Sequence, residues 1–146
     1  MARDVDIANA LVTAIQGQTF SKTFSVDLTF DQYIENDKSN SIELRVGIES
    51  DERTRQGRSD WVRDITLSIV MTAPQQVNTT TAVNAKSQIT SLLDFWDEIV
   101  DFIEDYSPLS LSASSIQNFG GTRFDRDKLH EDRMFRAGVA VTYKLV

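Results

Sequence analysis

The feature that most constrains the fold is a strict alternation of residue types over residues 135–145. Phe135, Val139, Val141, Tyr143 and other apolar residues at odd positions alternate with polar or small residues at even positions. A repeat of two residues places the two sets of side chains on opposite faces of a β-strand. The C-terminal segment is therefore predicted to be a strand with one apolar face.

Three earlier segments show the same repeat, and they predict strands over residues 24–31, 42–49 and 61–72. Residues 50–60 contain no apolar side chain, which predicts the exposed tip of a long hairpin between the second and third strands. Residues 35–41 are polar and are expected to form a loop. Leu109, Leu111 and Ala113 predict a further short strand.

Two segments instead carry the helical repeat of apolar residues. Residues 4–16 form the first, with Asp4 or Asp6 as its cap and Gly17 as its end signal. The second is expected to begin near residues 79–81 and to end near Tyr106, before a proline. Residues 118–133 are a charged excursion in which one helical turn is expected at 126–131.

This order of elements predicts an α+β fold. We expect a two-layer sandwich in which two helices pack on one face of a mainly antiparallel sheet of four or five strands. The chain has 146 residues, so residues 1–146 are expected to form a single domain. Alternating strands would leave polar edges and one open sheet face, which a partner subunit can cover.

Composition excludes several kinds of chemistry. The chain has no cysteine and only one histidine, His130, so thiol chemistry and a histidine pair are excluded. No apolar run is long enough for a membrane span, and the acidic N-terminus is unlike a signal peptide, so a cytoplasmically made, soluble protein is expected. The net charge of −7 disfavours general DNA binding, because phosphate neutralisation supplies most of that affinity.

The second predicted helix carries a dense run of carboxylates, of which Asp94, Asp97, Glu98 and Asp101 share one face. Such a face is the ordinary solvated complement of an amphipathic helix. Two alternatives are acid–base or divalent-cation chemistry and a partner surface. No nucleophile motif accompanies the carboxylates, so we predict no catalytic residue, cofactor or metal site, and no enzymatic activity. Asp97, Glu98 and Asp101 are retained as candidates for contact with a partner.

The hairpin region is rich in arginine, with Arg53, Arg55, Arg58 and Arg63 interleaved with acidic residues. The mixed signs cancel much of the local field, which argues against a phosphate-binding loop. Arginine forms bidentate pairs with carboxylates across interfaces, so a protein contact arm is the more plausible functional interpretation. A solvated hairpin tip is the alternative.

Four segments together resemble the tail terminator proteins of tailed bacteriophages. They are the first helix with the Phe that follows it, residues 6–21; the Arg-rich turn entering a strand, residues 53–69; the long helix with Leu92-Leu93 and Glu98-Ile99; and the approach to the last strand, residues 129–135. Their order and spacing match over most of the chain. Residues 31–41 and 74–81 depart from the family pattern.

The resemblance implies a virion structural protein that is made in the host cytoplasm. Tail terminators form a ring, expected to be a hexamer, that caps the tail tube, ends its elongation and meets the head connector or neck proteins. DNA passes through the ring without specific binding. The alternatives are another neck or tail-completion protein, a small carboxylate- or metal-dependent hydrolase, and a secreted adhesin.

Overall fold

The structure is a computed structural model that describes residues 3–29, 42–55, 57, 61–74, 82–111, 113–118 and 134–145. Its elements are, in order, α1 (Arg3–Gln16), β1 (Phe24–Thr29), β2 (Ile42–Arg55), β3 (Trp61–Pro74), α2 (Ala82–Asp105), a 3₁₀ turn (Pro108–Ser110), β4 (Ala113–Asn118) and β5 (Met134–Leu145). Two helices and a mostly antiparallel sheet of five strands confirm the predicted α+β class.

The strands lie in the order β1-β2-β3-β5-β4. Three of the four pairings are antiparallel, whereas β1 and β2 are parallel, with Val26 opposite Leu44. Parallel neighbours need a crossover connection rather than a tight turn. The interval between Thr29 and Ile42 is long enough for one, and the loop predicted at 35–41 lies there, outside the described residues.

One hydrophobic core joins both helices to the same face of the sheet, as predicted. From the helices, the fully buried side chains of Ile7, Leu11, Ile15, Phe95, Trp96, Ile99 and Ile103 enter it. From the sheet, Leu44, Val46, Ile65, Leu67, Ile69, Met71, Phe135, Val139, Val141 and Tyr143 meet them. The repeat of two in β3 and β5 supplies this face, which is why it was visible in the sequence.

The connection between α1 and β1 is held by aromatic packing. Phe20 contacts three rings edge to face, with centroid separations of 5.5 Å to Phe24, 6.2 Å to Phe95 and 5.9 Å to Phe102. The side-chain amide of Gln16 donates to the carbonyl oxygen of Val26 at 3.3 Å. These contacts fix the end of α1 against both α2 and β1.

The opposite face of the sheet differs from the open face that we expected. Ser68, Val70 and Thr72 of the central strand β3 are 4%, 0% and 2% exposed, so this strand is buried on both sides. Arg45 of β2 contributes to this face, because its guanidinium donates to the Thr72 hydroxyl at 3.4 Å. The centre of this second sheet face is therefore buried and does not offer an exposed surface to a partner subunit.

Two predicted boundaries were wrong. β2 continues through residues 50–55, which were expected to be part of a loop, because they keep pairing with β3 after a bulge at Glu49. The strand expected around Leu109 is instead a 3₁₀ turn that begins at Pro108, and β4 starts at Ala113. Proline favours the first position of such a turn because its φ is already fixed there.

Several other expectations fall outside the described residues. They concern the cap at residues 79–81, most of the excursion at 118–133, its helical turn and His130.

Candidate functional site

The β2–β3 hairpin extends past β1, and beyond the pair of Arg63 with Leu145 it also extends past β5. The ladder between β1 and β2 stops at the pair Thr29–Gly47, whereas β2 continues to Arg55 beside β3. We call residues 52–55 of β2 and 61–64 of β3 the arm. All four β2 residues of the arm are exposed, including those on its helix side and those on its far side. The β2 half of the arm is therefore exposed on both faces, whereas Val62 in its β3 half is only 4% exposed.

The turn of the arm requires a backbone conformation that favours glycine. Gly57 has a φ of 90°, in the region where a side chain is strained. The Nε atom of Arg55 donates to the carbonyl oxygen of Gly57 at 3.0 Å. This contact braces the last residue of β2 against the turn.

The base of the arm is held by an ion pair. Nε of Arg63 donates to Oδ1 of Asp51 at 2.6 Å, and an Nη atom of Arg63 contacts the second carboxylate oxygen. The hydrogen bond from Arg63 lowers the pKa of Asp51, against a smaller opposing effect of desolvation. Asp4 of α1 also interacts with both groups. Hence this pair stabilises the arm above the ordinary pKa of an aspartate, and its contribution falls as the pH falls through the lowered pKa.

The four arginines predicted to form a contact surface have different positions. Arg53 and Arg55 are exposed and lie on the same side of the arm as the helices, because they alternate with Glu52 and Thr54 after the bulge. Arg63 lies at the base and is engaged with Asp51. Arg58 lies outside the described residues. The structure therefore brings Arg53 and Arg55 together as the outward-facing pair.

The acidic residues of α2 cover its outer surface. Asp94 and Asp101 are exposed, and Asp97 and Glu98 are partly buried at its sides. Glu98 accepts a hydrogen bond from the Ser21 hydroxyl, which ties it to the connection between α1 and β1. Among the retained candidates, Asp101 is thus the most exposed, while Glu98 also has a role within the fold.

This acidic face works against the stability of its own helix. Residues 89–105 contain no basic side chain, and Glu104 and Asp105 lie in the last turn. Negative charge is unfavourable at a helix C-terminus, and like charges three or four residues apart repel. The arrangement is therefore better explained by what α2 contacts than by what keeps α2 folded.

The carboxylates of α2 belong to no group of the kind that could hold a metal ion in the described part of the molecule. They point away from the core along the helix surface, and no three His, Asp or Glu side chains among the described residues are grouped in a way that would hold a metal ion. Two surface grooves among the described residues are lined by other side chains. Long-range electrostatics and direct ion pairing are what this surface can offer.

One groove of about 770 Å³ lies on the outer side of α1. It is lined by Asp6, Asn9, Ala10, Thr13, Ala14, Tyr106 and Leu109. Leu109 is 50% exposed and has φ 50° and ψ 32°, a left-handed conformation that is rare for leucine. Sequence reasoning missed this groove, because the spacing of Leu109 and Leu111 resembled a strand and nothing in the residue type announced the left-handed backbone.

A second groove, of about 590 Å³, follows the connection from α1 into β1 and is lined by residues 16 and 18–27. Its lining is mixed polar and apolar, and Phe20 and Phe24 at its floor already pack on each other and on Phe95. This groove is therefore largely a consequence of how the connection is seated.

These features define a two-layer α+β protein with a protruding, arginine-bearing arm and an acidic outer helix. No helix in the described ranges is long and apolar enough to cross a membrane. No protein-family model matches the chain, and a search of curated proteins found no match.

Proposed function

We propose that this chain is a non-enzymatic structural subunit that assembles into a ring and caps the tail tube of a bacteriophage. The ring, a hexamer in this proposal, ends tube elongation and joins the tail to the connector or neck proteins of the head. No cofactor takes part. The chain works through the surfaces that its copies offer one another and their neighbours in the virion.

The observation that carries this proposal is the arm. Residues 52–55 are exposed on both faces, yet they are paired in register with β3 and their base is fixed by the ion pair between Arg63 and Asp51. A strand normally gains stability by covering at least one face with apolar contacts. An ordered strand without such cover in its own chain is well suited to contact another chain.

Charge supports the second part of the proposal, the passage of DNA. Six copies at −7 each carry 6 × −7 = −42 formal charges. An acidic lumen repels phosphate, so DNA can slide through without being held. The exposed carboxylates Asp94 and Asp101 of α2 are the candidates to line that passage.

The alternative is that the chain is a neck protein or a tail-completion protein of the same tail, which would use the same surfaces. Such a protein also assembles through an arm and a charged face, but it does not stop tube growth. The functional experiment is therefore an assay of tube growth rather than an assay of binding alone.

The experiment adds the purified chain to a polymerising tail-tube protein encoded in the same genome. Tube lengths are measured by electron microscopy, with and without the chain. The proposal expects short tubes, each with density for a terminal ring. The matched control is the arm variant R53E/R55E, which should leave tubes as long as in the absence of the chain.

Tubes of unchanged length that still carry the chain on their ends would assign it to the neck instead. Tubes that neither shorten nor bind the chain would refute the proposal.

A further inference from the structure

The groove on the outer side of α1 has the chemistry that an arginine side chain from outside needs. Its lining includes the acidic residue Asp6, the aromatic residue Tyr106 and the small apolar residues Ala10 and Ala14. A guanidinium pairs with carboxylates and stacks on aromatic rings, and its methylene stem packs on apolar groups. The groove therefore offers a place for each part of an arginine.

Leu109 adds an exposed apolar contact at the edge of this groove. Half of its surface is open to solvent, which no other large hydrophobic residue in the described part of the chain shows. Its left-handed backbone is unfavourable for a residue that carries a side chain. The turn that begins at Pro108 thus holds an apolar side chain outward, beside Tyr106, where a partner can cover it.

The electric field around the groove selects a cationic occupant. Asp6 lies in its lining, and Glu104 and Asp105 directly precede Tyr106 in the chain, with no basic residue between 89 and 105. An apolar peptide would leave these carboxylates without partners. A segment rich in arginine would pair with them.

The chain itself provides such a segment. The arm places Arg53 and Arg55 on one side, and both are exposed. Residues 50–60 contain no apolar side chain that would favour an apolar binding site. The described lining of the groove includes no residue of the arm. The arm and the groove are therefore separate surfaces of one copy, and they are opposite in charge where Arg53 and Asp6 lie.

We infer that the groove lined by Asp6, Tyr106 and Leu109 receives Arg53 and Arg55 from the arm of a second copy of this chain. The inference rests on the proposed function and names the contact that builds the ring. One copy's arm docks on the next copy's helices, so each copy uses two different surfaces. Head-to-tail contacts of this kind close into rings when the rotation between copies fits.

Charge reversal on each surface tests the contact. One variant carries R53E/R55E on the arm, and the other carries D6R/D105R beside the groove. Each variant alone repels its own copies, and self-association measured by sedimentation velocity should weaken at least about tenfold. When the two variants are mixed one to one, the reversed arm of one variant can meet the reversed groove of the other. The unchanged arm of the second variant can meet the unchanged groove of the first, so rings of alternating variants should form again.

The matched control is D27R/E49R, which reverses two exposed acids that lie outside this groove and outside α2, and it should keep the self-association of the unchanged chain. Circular dichroism of every variant checks that it is folded.

Three outcomes separate this inference from the function on which it rests. Rings that persist in the D6R/D105R variant overturn the inference. A mixture that stays dissociated although both variants are folded also overturns it. Neither outcome contradicts the proposal that the unchanged chain forms a ring. An unchanged chain that never associates, either alone or on tail tubes, overturns the proposed function as well.

Discussion

Tyr143 of β5 brings a hydroxyl group into the core without giving it a partner. Its side chain is fully buried between the sheet and the helices, and its oxygen has no hydrogen-bond partner among the described residues. Burial raises the pKa of Tyr143, because the phenolate would have to form away from water. A buried polar atom without a partner keeps its desolvation penalty.

We therefore expect Tyr143→Phe to increase the free energy of unfolding by about 1 kcal/mol at neutral pH. The raised pKa of Tyr143 also sets the direction in which stability changes at high pH. Above the ordinary pKa of 10.0, tyrosine ionises in the unfolded chain but stays neutral in the fold, so stability falls as the pH rises. Urea unfolding at pH 7 and pH 11 measures both effects, and the loss between them should be smaller in the variant.

Tyr106→Phe is the matched control for this prediction. The hydroxyl of Tyr106 donates to the carbonyl oxygen of Ala10 at 3.5 Å, so its removal should be neutral or slightly destabilising. A Tyr143→Phe variant that is less stable than Tyr106→Phe would contradict the account of an unpaired hydroxyl.

Individual residues also show which positions in the fold could be predicted from the sequence and which could not. Trp96 and Ile99 were predicted in the apolar stripe of the long helix and are buried there, because burial follows from the helical repeat alone. Leu109 could not be placed, because its outward position depends on a left-handed backbone that its neighbours impose. Glu49 could not be identified as a bulge, because a bulge changes pairing with another strand and leaves the residue pattern almost unchanged.

At the scale of elements, α2 combines a stable inner face with an unfavourable outer one. Trp96, Ile99 and Ile103 bury the inner face, while the outer face repeats carboxylates at helical spacing. Asp101 has an acid three or four residues away on both sides, at Asp97, Glu98, Glu104 and Asp105. Such like-charge neighbours cost about 0.2–0.5 kcal/mol per pair.

We expect Asp101→Lys to stabilise the isolated subunit, because it turns these repulsive neighbours into attractive ones. A gain of about 1 kcal/mol is the scale set by helix ion pairs. Thermal unfolding at low salt measures it, and high salt should reduce it by screening. Asp101→Asn, which removes repulsion without adding attraction, should give about half of the gain. An Asp101→Lys variant less stable than Asp101→Asn would contradict the interpretation of the outer face.

The elements show which parts of the fold the sequence predicts and which it does not. Both helices, the apolar faces of β3 and β5 and the α+β class follow from periodicity, which is a local property. The parallel pairing of β1 with β2 and the extension of β2 into the arm do not, because pairing partners and the end of a polar strand are set by the rest of the chain. The arginines of the arm were identified in the sequence. Their positions were not, because the pairing register of β2 with β3 decides that Arg63 lies beside Asp51 and that Arg53 and Arg55 lie further out on the arm than Asp51 does.

At the scale of the whole molecule, the surface contacts carry the proposed function. The core is filled from one face of the sheet by both helices, and the central strand is buried on its other side as well. Among the described residues, the arm, the acidic outer face of α2 and the groove beside α1 are the surfaces that this proposal assigns to partners. These surfaces differ in charge, which favours contact between unlike surfaces of neighbouring copies over contact between like ones.

The most direct test is negative-stain electron microscopy of the purified, unchanged chain over a range of concentrations. The account predicts closed rings with rotational symmetry, six-fold in the proposed assembly, and their fraction should rise with concentration. Particles that remain the size of one 16.5 kDa subunit at every concentration, and also beside tail tubes, would contradict it.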